Sequence, residues 1–188
     1  MRTLLHIPEI KQYIAGKEII GRGVTSICVE DSGKCVMYTK DGIKKDYLTH
    51  YLKLATDWQY LGESFSANYF GSLYRIDLPI LSPIRLRKYN EIYESLETFT
   101  RQVTSIRSFA ASLNFKQRDK SRDKLRNFVS KKSNRYLEPL FMMLEDYLYP
   151  KHFILDLHSK NVMIDAKGSV VVTDPIIESE LLQATRAL

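Results

Sequence analysis

The sequence predicts an α+β fold in two parts, a strand-rich first half and a helical second half that ends in a small hairpin. Short β-rich runs separated by turn signals dominate the first half. From Asn90 to Tyr149 almost every residue favours helix, and two short apolar strands then follow, joined by residues 166–168. With 188 residues and 44% hydrophobic content, the chain can form one domain or a small two-lobed one. We place the first lobe at residues 1–84 and the second at residues 85–188.

The first lobe is predicted to contain strands and one helix. After an amphipathic lead over residues 1–14, "KEIIGRG" and "TSICVED" are two strands with a Gly-containing bend between them, and "DSGK" turns the chain into the return strand "CVMYTK". Apolar residues recur at helical spacing from Tyr47 to Leu61 and predict a helix there. "ANYFGSLYR" and "LPILSPI" are two further strands, the second short or at a sheet edge because it contains Pro79 and Pro83.

Polar residues interrupt the apolar segment "ILDLHSKNVMI" and end the strand "SVVVTDP" that follows it. Asp156 and Asn161 precede the first strand of the predicted hairpin, and Asp174 leaves the second. Because a hairpin returns the chain to its start, Asn161 and Asp174 can face one space, where their oxygens suit Mg²⁺. Asp156 is placed beside them to accept a proton. Singly, these residues fit turns, caps or a buried hydrogen-bonded His158, but together their spacing predicts a metal site for phosphoryl transfer.

A glycine-containing loop joins the first two strands. Gly21 and Gly23, with Ser26 where a third glycine might stand, allow a phosphate to approach the backbone N–H groups closely. Seventeen residues after Gly23, Lys40 ends the return strand and could reach that phosphate. The alternative is a surface lysine at a strand end. Tyr38 should share the face of Lys40 and form a bulky floor for a nucleotide.

Both segments resemble protein kinases. "DLHSKNVMI" with "VVVTDP" resembles the early serine/threonine kinases of short-tailed bacteriophages, and "IIGRGVTSICVED" with "MYTK" resembles the small kinase effectors that pathogenic bacteria inject into host cells. The matches cover residues 18–40 and 152–177. The resemblance implies a two-lobed protein-kinase-like fold, with a small antiparallel sheet N-lobe and a truncated helical C-lobe. It also implies a serine/threonine protein kinase that acts on host proteins in the host-cell cytoplasm.

The resemblance further implies ATP and Mg²⁺ as cofactors. Asp156 would be the catalytic base with His158 beside it, and Asn161 and Asp174 would be the metal ligands. Lys40 would act in catalysis by orienting the phosphates. The complete phosphate-binding group would be Gly21, Gly23, Ser26 and Lys40.

Departures from the kinase pattern leave the substrate and the activity open. His158 stands where protein kinases usually have lysine and aminoglycoside-type phosphotransferases have histidine, so a sugar or aminoglycoside kinase is one alternative. A pseudokinase that keeps the fold and sequesters a partner is another, which Tyr38 favours. The helix after the third strand has no Glu at the expected distance, so Asp46 or Asp57 would have to pair with Lys40.

The net charge of +6 is concentrated between residues 116 and 135, which carry nine Lys and Arg against two Asp. This run is either the solvated face of a helix or a surface for a protein substrate or acidic protein partner. Nucleic acid is disfavoured because the twelve Tyr do not alternate with the basic residues. The sequence shows neither a membrane span nor a signal-peptide pattern, so we expect a cytoplasmic protein. Cys28 and Cys35 give neither a disulfide framework nor a zinc pattern.

Overall fold

The computed structural model describes residues 4–23, 25–66, 69–147 and 153–178, and these residues form two compact units. The first unit contains the described residues up to Ile80, together with residues 153–154 and 176–178. The second contains the described residues from Leu81 onward, apart from those two short segments. The predicted α+β class is confirmed, because an antiparallel sheet lies in the first unit and the three longest helices lie in the second.

Five antiparallel strands form the sheet of the first unit, in the order β1-β2-β3-β5-β4. The strands are β1 Glu18–Arg22, β2 Ser26–Asp31, β3 Lys34–Thr39, β4 Asp57–Ser66 and β5 Tyr69–Leu78. The predicted turn between β2 and β3 is confirmed. Its two central residues, Ser32 and Gly33, have φ values of 54° and 77°, which match the twist of a two-residue hairpin loop.

The N-terminal lead is helical and covers one face of this sheet. Helix α1 spans Pro8–Ile14, with its proline in the first turn, where no intrahelical N–H bond is lost. Tyr38 is 2% exposed beneath α1, and its ring stacks on Tyr13 with 5.6 Å between centroids. Tyr38 is thus a core residue, which corrects the expectation that it forms the floor of a nucleotide site. The buried core on this face consists of Leu4, Ile7, Ile10, Ile14, Ile27, Val29, Val36, Tyr38 and Leu73.

The helix predicted between Tyr47 and Leu61 is wrong over its second half. Helix α2 spans Gly42–Asp46 and a π-helical turn continues to Tyr51, but the chain then enters β4. The rings of Trp58 and Tyr60 pack against Tyr74 of β5, at centroid distances of 6.5 and 5.9 Å. Pairing with β5 therefore outweighs the local helical spacing of the apolar residues.

Helices dominate the second unit, as predicted. They are α3 Leu86–Ala111, α4 Phe115–Val129 and α5 Glu138–Tyr147, with a 3₁₀ segment at Lys132–Leu137 before α5. The inward faces of α3 and α4 repeat buried side chains three or four residues apart, which packs each helix along one stripe. These side chains are Leu96, Phe99, Val103, Ile106, Leu125 and Val129. Among the described helices, none is both long and apolar enough to cross a bilayer.

Five short strands follow β5. They are β6 Ser82–Pro83, β7 Phe153–Leu155, β8 Val162–Ile164, β9 Val170–Val172 and β10 Ile176–Glu178. The predicted "LPILSPI" strand is thus divided between the end of β5 and β6. β8 and β9 form the predicted terminal hairpin, and β6 pairs with the other edge of β8. The hairpin turn is closed by the N–H of Gly168, which donates to the main-chain oxygen of Asp165 at 2.9 Å. β7 and β10 form a separate two-stranded sheet.

Candidate functional site

Asp156, His158 and Asn161 lie together in the second unit, on the segment between β7 and β8. A 3₁₀ turn at Ser159–Asn161 folds this segment back, and the N–H of Asn161 donates to the main-chain oxygen of His158 at 2.9 Å. The side-chain Nδ2 of Asn161 donates to the main-chain oxygen of Asp156 at 2.8 Å and to its carboxylate Oδ2 at 3.0 Å. The amide of Asn161 therefore fixes the orientation of the Asp156 carboxylate.

His158 lies against the other oxygen of that carboxylate. Its Nδ1 accepts the N–H of Lys160 at 3.1 Å, and its Nε2 is 3.4 Å from Oδ1 of Asp156. Because Nδ1 is an acceptor, the hydrogen of the neutral imidazole is on Nε2 and faces the carboxylate. The side chains of Asp156 and His158 are 29% and 51% exposed, so both are accessible from solvent.

Asp174 follows β9 and lies between two residues that are hydrogen-bonded to this segment. Thr173, before it, donates through its N–H and its Oγ1 to the main-chain oxygen of Asn161, at 2.9 and 3.3 Å. The main-chain oxygen of Pro175, after it, accepts the N–H of Asp156 at 2.8 Å. The hairpin therefore brings Asp174 to the same end of the unit as Asp156 and Asn161.

Helix α3 supports the segment from outside the hairpin. The hydroxyl of Tyr89 donates to the main-chain oxygen of Leu157 at 3.0 Å, and Nζ of Lys88 donates to that of Gly168 at 3.2 Å. Burial raises the pKa of Tyr89, which keeps its hydroxyl protonated and able to donate. The sequence gives no sign of these supports, because they join residues about 70 to 80 positions apart.

The oxygens of Asn161 and Asp174 suit a hard divalent cation. Both N–H bonds of the Asn161 amide are directed at Asp156, which leaves its Oδ1 as the atom for a metal. With the carboxylate of Asp174, this oxygen gives the donor set that Mg²⁺ uses alongside water and substrate phosphates. These residues therefore fit the cofactor that the resemblance implies. Within the described ranges, no group of three or more His, Cys, Asp or Glu could hold a metal.

The glycine-containing loop joins β1 to β2 in the first unit. It is tight, since the N–H of Gly23 donates to the main-chain oxygen of Ser26 at 2.8 Å. A Cβ added at Gly23 would lie 3.1 Å from Oγ of Ser26, which is closer than side chains usually pack. At Gly21 an added Cβ would meet Cys28 at an ordinary 3.4 Å. A side chain at Gly23 would therefore displace Ser26, whereas one at Gly21 would fit without crowding.

Lys40 follows β3 directly and lies on the face of the sheet that α1 covers. Its N–H donates to the main-chain oxygen of Thr25 at 3.1 Å, which continues the β2–β3 ladder by one residue. Alternation along the strand then places its side chain on the face of Tyr38. Burial lowers the pKa of Lys40, and the carboxylate of Glu9 in α1 opposes that effect.

A buried polar cluster lies at the base of the glycine-containing loop. Ser26 pairs with Thr39 across β2 and β3, one residue out of phase with the pair formed by Ile27 and Tyr38, so these two side chains occupy the sheet face opposite α1. We call the whole group the loop-base cluster, and its members are all 6% exposed or less: Thr25, Ser26, Thr39, Asp41 and Lys44.

The ammonium group of Lys44 is central to the loop-base cluster. Its Nζ donates to Oγ of Ser26 at 3.0 Å and to Oγ1 of Thr25 at 3.2 Å. Thr39 Oγ1 donates to the main-chain oxygen of Thr25 at 3.0 Å and accepts the N–H of Asp41 at 3.1 Å. Asp41 caps α2, because its Oδ1 accepts the main-chain N–H of Lys44 at 2.9 Å. The cluster thus joins the loop, β3 and α2.

The sequence offers Asp46 and Asp57 as partners for Lys40. Oδ1 of Asp46 lies 2.6 Å from Nζ of Lys45 and 3.9 Å from Nε2 of His50. Oδ1 of Asp57 accepts the N–H of Trp58 at 2.8 Å. These contacts account for part of the environment of each aspartate, and the pairing with Lys40 stays a prediction.

The basic run forms α4 and the following 3₁₀ segment, and two groups of its charges differ in their surroundings. Arg122 and Arg126 both donate to Oε1 of Glu145 in α5, at 2.9 and 2.7 Å. These arginines connect two helices of the fold. The second group consists of exposed lysines spaced four residues apart along one side of α4, as neighbours on a helix surface are. We call it the lysine row: Lys116, Lys120 and Lys124.

No protein-family model matches this chain, and no curated protein sequence matches it. Two groups of residues described above therefore bear on function. One is the Asp156 segment with Asp174 in the second unit, and the other is the glycine-containing loop with its loop-base cluster in the first.

Proposed function

We propose that this protein is an ATP- and Mg²⁺-dependent phosphotransferase, and that it acts as a serine/threonine protein kinase on host proteins. The observation that carries the proposal is the placement of Asn161. Its amide nitrogen donates to the main chain and the carboxylate of Asp156, and its amide oxygen would hold the cation together with Asp174. One side chain thus connects a candidate proton acceptor to a candidate pair of metal ligands.

In this proposal, the Asp156 carboxylate accepts the proton of the substrate hydroxyl while the hydroxyl oxygen attacks the γ-phosphorus of ATP. The bond to ADP breaks as the new phosphate ester forms. The Nε2–H of His158, which faces Oδ1 of Asp156, holds the carboxylate in position. Asn161 and Asp174 would hold Mg²⁺, which when bound offsets the negative charge of the phosphates.

The glycine-containing loop would bind the phosphates of ATP. A loop that binds phosphate must let it come close to the main chain, and small side chains permit that approach. Gly21 and Gly23 carry no side chain, and Oγ of Ser26 in the same loop contacts Nζ of Lys44 at 3.0 Å.

The charges on α4 favour an acidic protein as the substrate. Arg122 and Arg126 are bound to Glu145, whereas the lysine row is exposed and forms no ion pair among the described residues. Like charges four apart mildly destabilise a helix, so stability of the fold does not account for the row. A Ser or Thr beside acidic residues would match it in charge.

A small-molecule kinase is the second candidate function, and His158 is the residue that favours it. The sequence has histidine here, where protein kinases that the chain resembles usually have lysine. In the structure His158 contacts Asp156 and is half exposed, so it could also meet a hydroxyl of a small substrate.

Transfer from γ-labelled ATP tests the proposal. The purified full chain should label an acidic Ser/Thr peptide in the presence of Mg²⁺ and not with EDTA. Asp156→Asn and Asp174→Asn should each abolish transfer, whereas Asp123→Asn, on the exposed face of α4, should not. Transfer to sugars or aminoglycosides and not to proteins would support the second candidate. ATP binding without any transfer would identify a pseudokinase, and the absence of ATP binding would reject the proposal.

A further inference from the structure

We infer that Lys44 in α2, and not Lys40 after β3, is the lysine that binds the phosphate chain of ATP, an inference that rests on the proposed function. Lysine is almost never fully buried unless its charge is compensated. Lys44 is nevertheless only 3% exposed, and its Nζ contacts the hydroxyls of Thr25 and Ser26. The buried ammonium is therefore held at the base of the loop that would receive the phosphates.

The two lysines have different surroundings. Lys40 continues β3 on the face that α1 covers, near Glu9. Nζ of Lys44 contacts Oγ1 of Thr25 and Oγ of Ser26, and Ser26 pairs with Thr39 on the other face of the sheet. Lys40, which holds the phosphate-binding position that the resemblance implies, is thus directed away from Ser26. Lys44, four residues later, contacts Ser26.

The chemistry of the loop-base cluster suits a polyphosphate. The ammonium of Lys44 supplies a compact positive charge, and the hydroxyls of Thr25 and Ser26 can each donate as well as accept. Asp41 is the carboxylate of the cluster, and its Oδ1 is used by the main-chain N–H of Lys44 in capping α2. A phosphate chain would bring several acceptor oxygens to this donor group, in charge-assisted hydrogen bonds.

The position of Lys44 follows from the start of α2. Asp41 caps the helix and so fixes the rotation of α2 about its axis. This rotation directs Lys44, the third residue after the cap, toward the loop. The next residue, Lys45, points elsewhere: its Nζ pairs with Asp46 and lies 4.5 Å from the ring centroid of Trp58. The three neighbouring lysines therefore differ in surroundings, which makes Lys40 and Lys45 internal controls for Lys44.

An acyl phosphate of ATP tests the inference on the unaltered protein. This reagent carries a reactive acyl group on its phosphate chain and transfers it to lysines that contact the chain, and mass spectrometry of the digested protein then identifies the modified residue. We expect modification of Lys44, blocked by excess ATP. Modification of Lys40 or Lys45 in place of Lys44, if blocked by ATP, would overturn the inference and leave the proposed function standing.

Binding measurements give a second test. Lys44→Met should weaken ATP binding by roughly tenfold to a hundredfold, as expected for loss of a hydrogen bond to a charged group, and Lys40→Met should change it by less than about twofold. Tripolyphosphate, used as a probe that lacks the nucleoside, should likewise lose more affinity in Lys44→Met than in Lys40→Met. Equal ATP affinity of wild type and folded Lys44→Met would overturn the inference. If Lys44→Met does not fold, labelling of the wild type decides.

The outcomes also separate this inference from the proposed function. A wild-type protein that binds tripolyphosphate through Lys44 but does not bind ATP would reject the kinase and keep the anion site. A wild-type protein that binds neither probe would overturn both.

Discussion

The side-chain amide of Asn161 donates to the carboxylate of Asp156 at 3.0 Å, and separate main-chain bonds hold each residue in place. The N–H of Asn161 donates to the oxygen of His158 at 2.9 Å, and the N–H of Asp156 donates to that of Pro175 at 2.8 Å. These two main-chain bonds do not depend on the side chains, so they can persist when either side chain is altered.

Asn161→Asp should lower the rate of transfer. The substitution removes the Nδ2 donor to the main-chain oxygen and to the carboxylate of Asp156, at 2.8 and 3.0 Å, and brings a second carboxylate close to Asp156. Like charges repel, so the Asp156 carboxylate should lose the orientation in which it accepts the substrate proton. We expect turnover with γ-labelled ATP to fall at least roughly tenfold.

Asn127→Asp, on the exposed side of α4, adds the same charge away from the hairpin and should leave turnover unchanged. Wild-type turnover in Asn161→Asp would mean that the amide of Asn161 does not orient the base.

Gly23→Ala should weaken ATP binding more than Gly21→Ala does. A methyl group at Gly23 would lie 3.1 Å from Oγ of Ser26, which is itself bonded to Lys44 at 3.0 Å. Ser26 must then move, and its contact with Lys44 is strained. Neither glycine has a positive φ, so alanine suits both backbones. Titration with ATP should show a loss of roughly fivefold to tenfold for Gly23→Ala, of the size of one hydrogen bond. Equal losses would contradict the packing argument.

Reversal of the lysine row to glutamate should weaken binding of an acidic substrate. The triple change lowers the formal net charge of the chain from +6 to 0, since each reversal removes two charges. The KM for an acidic peptide should rise and become less sensitive to salt, while ATP binding stays as in wild type, because a screened long-range attraction has been removed. A triple variant with normal KM at low salt would identify the row as a solvated face.

Glu145 should contribute to the stability of the fold and not to substrate binding. Its Oε1 accepts from both Arg122 and Arg126, and its side chain is 17% exposed. Glu145→Gln keeps the size but removes the charge, and we expect the free energy of unfolding to fall by roughly 1–2 kcal/mol in urea denaturation. Glu138→Gln, at the exposed start of α5, is the control. Similar stability of both variants would mean that solvent screens the Glu145 pairs completely.

Stability should fall at alkaline pH, with Tyr136 as one identifiable cause. Burial raises the pKa of Tyr136 to about 12, from an ordinary value of 10.0. Between these values the unfolded chain loses a proton that the folded chain keeps, so the stabilisation is complete below pH 10 and is lost as pH rises toward 12. Tyr136→Phe should flatten this fall in denaturation curves, and Tyr93→Phe, 50% exposed, should not. Equal slopes in the two variants would exclude Tyr136 as the cause.

The sequence predicts the parts of this fold that local chemistry decides. The turn at Ser32 and Gly33 follows from two residues that tolerate positive φ between strands, and the terminal hairpin follows from its apolar runs around Gly168. The grouping of Asp156 with Asn161 also follows, because a short turn separates them.

Contacts distant in sequence could not be predicted in this way. The apolar residues around Trp58 have helical spacing, yet this segment pairs with β5, which comes later in the chain and whose Tyr74 packs against Trp58. Nothing local distinguishes Lys44 from Lys45, since only the cap at Asp41 and the position of the loop determine which one is buried. The cover that α1 places over Tyr38 likewise depends on packing between residues far apart in sequence.

The N–H of Asp156 donates to the main-chain oxygen of Pro175, so the two ends of residues 156–175 are held together and the segment forms a closed loop. The strands that flank this loop in sequence, β7 and β10, also pair with each other. The entropy lost in ordering such a loop depends on its own length, roughly twenty residues, and not on the length of the chain before it. The arrangement of Asp156, Asn161 and Asp174 is thus a modular one. Insertions at the exposed Ser112–Asn114 connection between α3 and α4 should be compatible with it, and helical regions of quite different length could carry the same loop.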